Sequence, residues 1–382
     1  MILDLDKTTW KRVKFGDVVK NINDYFSPET DGVLPYVAGP HIDPESMCVR
    51  AYGKTSDDNF PPTFKRKFQP GDVLLHSRGI EKIAATDCQG VTGEKLFVLR
   101  AIDSDLLDQR FLPILLRSPL AAEYLENHFT GSVNRFLNWK PLAAWEFDLP
   151  PLDQQKRIVD LLWAVERHSQ SVRLIIEASI PCQALAMDVS ADGYVELSDV
   201  LSVAKSGGTP RRSNQENYLG NIPWLKSGEV VGGRITSTEE LISDTGLSSS
   251  AAWLAPEGAT VVAMYGDGKT RGQVGRLATP MATNQAVLAL VADREKADSR
   301  FLYFWLRSRQ SELRERGAGA AQKNLSKKIV LSEPFPDISI VDQLYAAERV
   351  ETIDKSTDAQ KAELDHLRAL RTSLMSSIFG DS

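Results

Sequence analysis

Leu149 to Ser179 reads LPPLDQQKRIVDLLWAVERHSQSVRLIIEAS. Asp153 stands as an N-cap directly after a Pro-Pro pair, and Ile158, Leu161, Leu162, Val165, Val172, Ile175 and Ile176 then recur at helical spacing. Ile158, Val165 and Val172 are seven apart, Leu161 and Ile175 form a second stripe, and only His168 interrupts the seam. This predicts a long amphipathic helix over residues 151–180, one partner of a short coiled coil. From Asp153 to Ser179 it would span about 40 Å at the α-helical rise, and Pro181 is expected to stop it.

Its predicted partner is the C-terminal segment, residues 339–382. No proline or glycine lies between Ser339 and Ile378. Ala346, Ile353, Leu367 and Leu374 share one heptad position, with Val350, Leu364 and Ile378 on the next. Ile158, Leu162, Val165 and Val172 on the first helix, and Ile353, Leu364, Leu367 and Leu374 on the second, are the candidate partner-binding residues.

The segments before the two helices repeat one another. Val13–Val18 returns as Val195–Val200, Leu34-Pro35-Tyr36-Val37 as Ile222-Pro223-Trp224-Leu225, and the strand after Pro70 as the strand after Pro256. Arg110-Phe111-Leu112 with Leu116-Arg117-Ser118 returns as Arg300-Phe301-Leu302 with Leu306-Arg307-Ser308. Gly131–Leu137 returns as Gly319–Leu325, and Asp153-Gln154 as Asp342-Gln343. Landmarks in the same order at nearly constant offset mark an internal duplication. Each copy reads as short strands with many turns and then a helix from Arg110, or its equivalent, onward. The expected architecture is α+β. Two pseudo-symmetric modules, residues 1–150 and 181–338, are separated by two long antiparallel helices and related by a pseudo-twofold axis.

Composition bounds the function. The 382 residues, 42% hydrophobic and 25% charged, suit a globular chain with ample cores. No apolar run approaches a membrane span and no signal-peptide pattern opens the chain, so the expected location is cytoplasmic, with no membrane contact. Three cysteines without a CxxC pair and five histidines without ligand spacing give no metal site. The net charge of −6 hides a basic stretch, Arg307–Lys328, with a net charge of +5.

The ordered motifs resemble the specificity (S) subunit of type I restriction-modification systems. They are Gly207-Gly208-Thr209-Pro210, Tyr218 with Ile222-Pro223-Trp224-Leu225, Lys269-Thr270-Arg271-Gly272, Asn284-Gln285-Ala286, the Phe301–Ser308 helix, Gln322-Lys323-Asn324-Leu325-Ser326, and Leu149-Pro150-Pro151-Leu152 with Gln154, Gln155 and Ile158. The resemblance covers nearly the whole chain. It implies two target-recognition domains, each reading half of an asymmetric, interrupted sequence in double-stranded DNA. It also implies helices that act as a ruler and bind two methyltransferase subunits, with motor-nuclease subunits able to join. The chain itself would be non-catalytic and hold no cofactor, S-adenosylmethionine being bound by the methyltransferase. The first module departs from the pattern: it lacks the Gly-Gly-Thr-Pro loop, the Asn-Gln pair and the Lys-Thr-Arg-Gly loop.

Reading duplex DNA needs cations for phosphates and multi-donor side chains for base edges. In the second module these are Arg211, Arg212, Lys226 and Ser227, then Lys269, Thr270 and Arg271 on a glycine-rich loop, and Gln322, Lys323 and Asn324. In the first module they are Lys65, Arg66, Arg78, Lys82, Asn134 and Arg135. Ala263–Thr270 also satisfies a relaxed phosphate-loop pattern, but Gly272, Gly275 and Pro280 predict strands and turns where a phosphate loop requires a helix. Two alternatives stay open on sequence: an S subunit serving a solitary methyltransferase or another restriction type, and a helical scaffold that binds protein rather than DNA.

Overall fold

The structure, a computed structural model, describes residues 5–266, 270–318 and 324–380. It divides into two compact units, Met1–Ile175 with Gln360–Ser382, and Ile176–Ala359.

The first unit opens with β1 (Lys11–Lys14), which pairs antiparallel with β10 (Glu146–Leu149), the strand that leads into the first long helix. Between them lie two sheets. One, in the order β2-β9-β6-β7, is built from Val19–Asn21, Leu96–Ala101, Val73–His76 and Ile83–Ala85. The other, β4-β3-β8-β5, is built from Gly53–Lys54, Pro35–Val37, Gly90–Thr92 and Arg66–Phe68, with β3 and β8 parallel. The β6 run Val-Leu-Leu is fully buried, as expected of an apolar strand covered on both faces.

The second unit repeats the plan. β11 (Tyr194–Glu196) pairs with β21 (Pro334–Pro336) before the second long helix. A five-stranded sheet runs β12-β20-β17-β18-β14, from Leu201–Ser206, Val287–Ala292, Thr260–Ala263, Val274–Leu277 and Arg234–Ile235. A four-stranded sheet runs β15-β13-β19-β16, from Leu241–Ile242, Ile222–Leu225, Met281–Thr283 and Leu254–Ala255. Here β13 and β19 are the parallel pair. The expected α+β class with a repeated module is therefore observed.

The first long helix spans Leu152–Ala186 and the second Ile340–Phe379. Pro181 does not end the first; it lies inside it. Proline forfeits one backbone hydrogen bond, but the turn beyond it is anchored by Ala186 and Met187, buried in the second unit's core, and by Gln183, whose amide donates to Asp354 at 2.8 Å. In the first unit, His168 Nε2 lies 2.7 Å from Glu363, Arg371 faces Glu166, and Leu162 and Met375 border one cavity, so the helices run antiparallel there. The segment from Arg110 to Leu125 is not one helix. Leu112–Leu116 and Pro119–Asn127 are separated at Ser118, whose hydroxyl accepts from Ala121 N–H as an N-cap.

Each long helix is fastened to its module by a buried glutamine. Gln155 accepts from Asp108 N–H at 2.9 Å and donates to the carbonyls of Leu106 and Pro150 at 2.9 and 2.8 Å. Gln343 accepts from Asp298 N–H at 2.9 Å and donates to those of Lys296 and Ile338 at 3.0 and 3.2 Å. The true counterpart of Gln343 is thus Gln155, not the Gln154 suggested by the Asp-Gln dipeptide; Gln154 instead accepts from the indole of Trp10. Replacing Gln155 or Gln343 by leucine takes this partner from one backbone amide and two carbonyls, most of them partly buried. Each change is expected to destabilise the chain by about 1–3 kcal/mol, measured as a lower urea midpoint.

Candidate nucleic-acid interface

Four motifs of the second module converge on one end of its sheets. Met264 N–H, just past β17, donates to Ala286 O at 2.8 Å, and Leu325 N–H donates to Met264 O at 3.0 Å. Gly207 N–H donates to Asn284 O at 3.1 Å and Gly208 N–H to Thr283 O at 3.0 Å. A Cβ on Gly207 would lie 1.7 Å from Thr283 O, so only glycine admits this approach. Thr209 donates to Gln285 at 2.5 Å, the Trp224 indole to Gly208 O at 3.1 Å, and the Tyr218 hydroxyl to Pro210 O at 2.7 Å. The end of β17, the Asn284-Gln285 pair and the segment at Asn324 are therefore held side by side.

The first module carries the same node without the same motifs. Ser77 N–H, just past β6, donates to Lys95 O at 2.8 Å, and Leu137 N–H donates to Ser77 O at 2.7 Å. These are the bonds of Met264 and Leu325 in the second module. They place Arg78, Lys95 and the loop holding Asn134 and Arg135 where the second module has Tyr265, Ala286 and Asn324.

The candidate cations divide into two sets. Arg212 pairs with Glu240 at 2.5 Å and stacks over Tyr218 and Trp224, and Lys226 bridges Glu239 and Glu240 at 3.0 Å each. Hydrogen bonds from Arg212 and then Lys226 hold the Glu240 carboxyl down at about 2. Arg66 donates to Leu96 O at 2.9 Å, and burial lowers its pKa. Lys82 donates to Gly39 O at 3.2 Å, and Arg135 lies against Glu126 and over Phe129. By contrast Arg78, Asn134 and Arg211 are exposed, and their side chains make no hydrogen bond or ion pair among the described residues. Lys65 is exposed with its ammonium 5.6 Å from the Tyr25 ring. Ser227 begins a short helical turn and is half-buried, as are Thr270 and Arg271; Asn324 is exposed. Lys269, Gln322 and Lys323 lie outside the described residues.

The basic stretch Arg307–Lys328 is largely structural. Arg307 pairs with Asp354 on the second long helix, Arg309 and Arg316 converge on the buried Glu333, and Lys327 donates to Ala204 O. The candidate partner-binding seam is likewise covered by the chain itself. Ile158, Leu162, Val165, Val172 and Leu364 are buried, and Ile353, Leu367 and Leu374 half-buried. The apolar side chains that the helices leave exposed are Leu174, Ile175 and Leu370 in the first unit and Ile180, Leu185, Val341, Leu344 and Tyr345 in the second.

A family model described as "Type I restriction modification DNA specificity domain" matches residues 7–178 and again residues 193–368. The chain belongs to this family. The type I restriction-modification system S subunit from M. genitalium has the same fold, with a TM-score of 0.64 at 16% identity over 100% of this chain and 98% of that one. A chain from a structure described as the basis of complex assembly and conformational transition of the type I R-M system gives a TM-score of 0.54 at 19% identity, over 98% of each chain. The two family matches fall on the two copies of the duplication. The phosphate-loop alternative fails on geometry, since the β17–β18 loop leads into a strand, Val274–Leu277, and not a helix. No helix among the described residues is long and apolar enough to cross a membrane.

Sequence reasoning could pick out cations in this specificity-domain chain but not the carboxylates that occupy them. Glu240→Gln removes the charge that holds Arg212 and Lys226. The expected result is tighter non-specific duplex binding with a salt slope steeper by about one to two counterions, read from fluorescence anisotropy across a salt series. An unchanged slope would mean that neither cation reaches phosphate.

Proposed function

We propose that this chain is the non-catalytic DNA-reading subunit of a restriction-modification complex, each module reading one half of an asymmetric, interrupted site. The observation that carries the reading is the duplicated node, Ser77–Lys95–Leu137 and Met264–Ala286–Leu325. One backbone scaffold holds a different set of exposed side chains in each module. Similar frames with different tips suit two half-sites of different sequence, because phosphate contacts position a protein while varied side chains read the bases. Arg78, Asn134, Lys65, Arg211 and Asn324 are the leading contacts among the described residues, joined by Lys269, Thr270, Arg271, Gln322 and Lys323. Arg66, Arg212, Lys226 and Arg135 serve chiefly to hold the loops in place.

Two methyltransferase subunits would dock on the long helices, through the apolar side chains those helices leave exposed rather than through the covered seam. S-adenosylmethionine would be held by those subunits, and motor-nuclease subunits would join the same assembly. The length of helix between the modules would set the unread spacer. Methylation mapping of the native host with and without the gene, alongside mass spectrometry of copurifying chains, tests this directly. The expected outcome is a copurified methyltransferase and loss of methylation at one interrupted motif. Exchanging residues 1–150 for those of another family member is expected to change one half-site only, and a change in both halves would refute the assignment. With no methyltransferase and an unchanged methylome, a protein-binding scaffold becomes the better reading.

A further inference from the structure

At the C-terminal ends of the parallel strands β3 and β8, the first module has an open cleft of about 430 Å3. Ala38-Gly39-Pro40 form one side and Gly93-Glu94-Lys95-Leu96 another, with Thr63, Phe64 and His76 completing the wall. In the second module the corresponding strand ends are covered, by Gly207 and Gly208 bonded to Asn284 and Thr283 and by Thr209 bonded to Gln285. The first module has no Gly-Gly-Thr-Pro loop to cover them. Where β17 ends on Ala263, β6 ends on His76.

The cleft has the chemistry of a reader. Arg78 N–H donates to His76 Nδ1 at 3.1 Å, so the neutral ring carries its proton on Nε2. That nitrogen lies against Gly39, where a Cβ would approach it to 2.9 Å. Burial, and then the positive charge of Lys82, lowers the imidazole pKa, with Lys95 and Arg78 acting the same way and Glu81 opposing them. Phe64 packs on Gly93 and supplies an apolar wall, a Cβ there meeting its ring at 2.5 Å. Glu94 and Lys95 are exposed at the rim. One N–H donor, one carboxylate acceptor and one cation on a concave wall complement the mixed donors and acceptors of a base-pair edge. A simple anion would be poorly served by Glu94.

We propose that this cleft reads a base-pair edge of the first half-site, with His76, Glu94 and Lys95 as specificity-determining residues and Arg78 on an adjoining phosphate. The inference rests on the DNA-reading function proposed above and assigns three residues that sequence motifs did not mark.

The test uses the intact complex with its copurifying methyltransferase, acting on duplexes randomised through the recognised site. Glu94→Gln and Lys95→Ala, both at exposed positions, accompany His76→Gln. Each change is expected to lower discrimination at one or two base pairs of the first half-site by about tenfold or more, leaving the second half-site and spacer unchanged. Wild-type preference at every position in Glu94→Gln and Lys95→Ala overturns the cleft assignment while leaving the specificity function standing. Should the wild-type complex itself show no interrupted motif, the function proposed above falls, and this inference with it. A fold defect in His76→Gln does not obscure the outcome, because the two rim variants decide it.

Discussion

A buried primary amide offers both a donor and an acceptor, and left unpaired it is costly in a protein interior. Gln155 and Gln343 meet this constraint by clasping the loop before the first module helix and the loop before their own long helix at once. That clasp sets where each long helix starts and how it leaves its module. The paired strands β1–β10 and β11–β21 place the chain at the same point, so helix and module share a core rather than meeting through a linker. Ile158, Val159 and Leu162 lie in the core of the first unit, and Ala346, Ala347 and Val350 in that of the second. A helix built into a core cannot shift without repacking the strands it covers.

The charged residues divide by the same logic. Arg307, in the last turn of its helix, and Arg117, just past its own, are counterparts in the duplication, and both are engaged within the protein. Arg307 pairs with Asp354, while Arg117 donates to the carbonyls of Pro44 and Ser46 at 2.5 Å each, and burial lowers its pKa to about 10. The segment it holds then presents Ser46 Oγ–H and Met47 N–H to the buried Glu166 at 2.9 and 3.0 Å. Each module therefore uses one arginine to brace itself against a long helix, directly in one case and through a loop in the other. A net charge of −6 is compatible with DNA binding because charge is unevenly placed: Arg212 and Lys226 are matched by Glu240, whereas the exposed Arg78 and Arg211 have no ion-pair partner among the described residues.

The helical period, the duplication and the α+β class were legible because they depend on residue order, which a single sequence displays. Pairings that depend on three dimensions were not. Arg212 and Lys226 look like free cations until Glu240, which follows them in the chain, folds back onto both. Ser118-Pro119 carried a legible helix-start signal that the surrounding apolar residues masked. Pro181 misled for the opposite reason, since a local breaker was overruled by tertiary burial of the turn beyond it. The seam of Ile158 to Val172 was correctly read as apolar, but periodicity cannot distinguish a surface for another protein from a surface for the chain's own core.

Duplication followed by divergence leaves the matching strand ends of the two modules different in form as well as in sequence. Gly207 requires a backbone approach that leaves no space for a Cβ, and once Gly207–Thr209 lie against Thr283–Gln285 that strand end is closed. In the first module the corresponding stretch, β2 and the residues after it, follows another path. Asn21 accepts from Val98 N–H through its side chain, Ile22 N–H donates to Val98 O, and the strand end at Gly93 is left open. One backbone node thus supports two differently shaped strand ends, one covered and the other open, and the difference follows from the presence or absence of one glycine-led strand crossing.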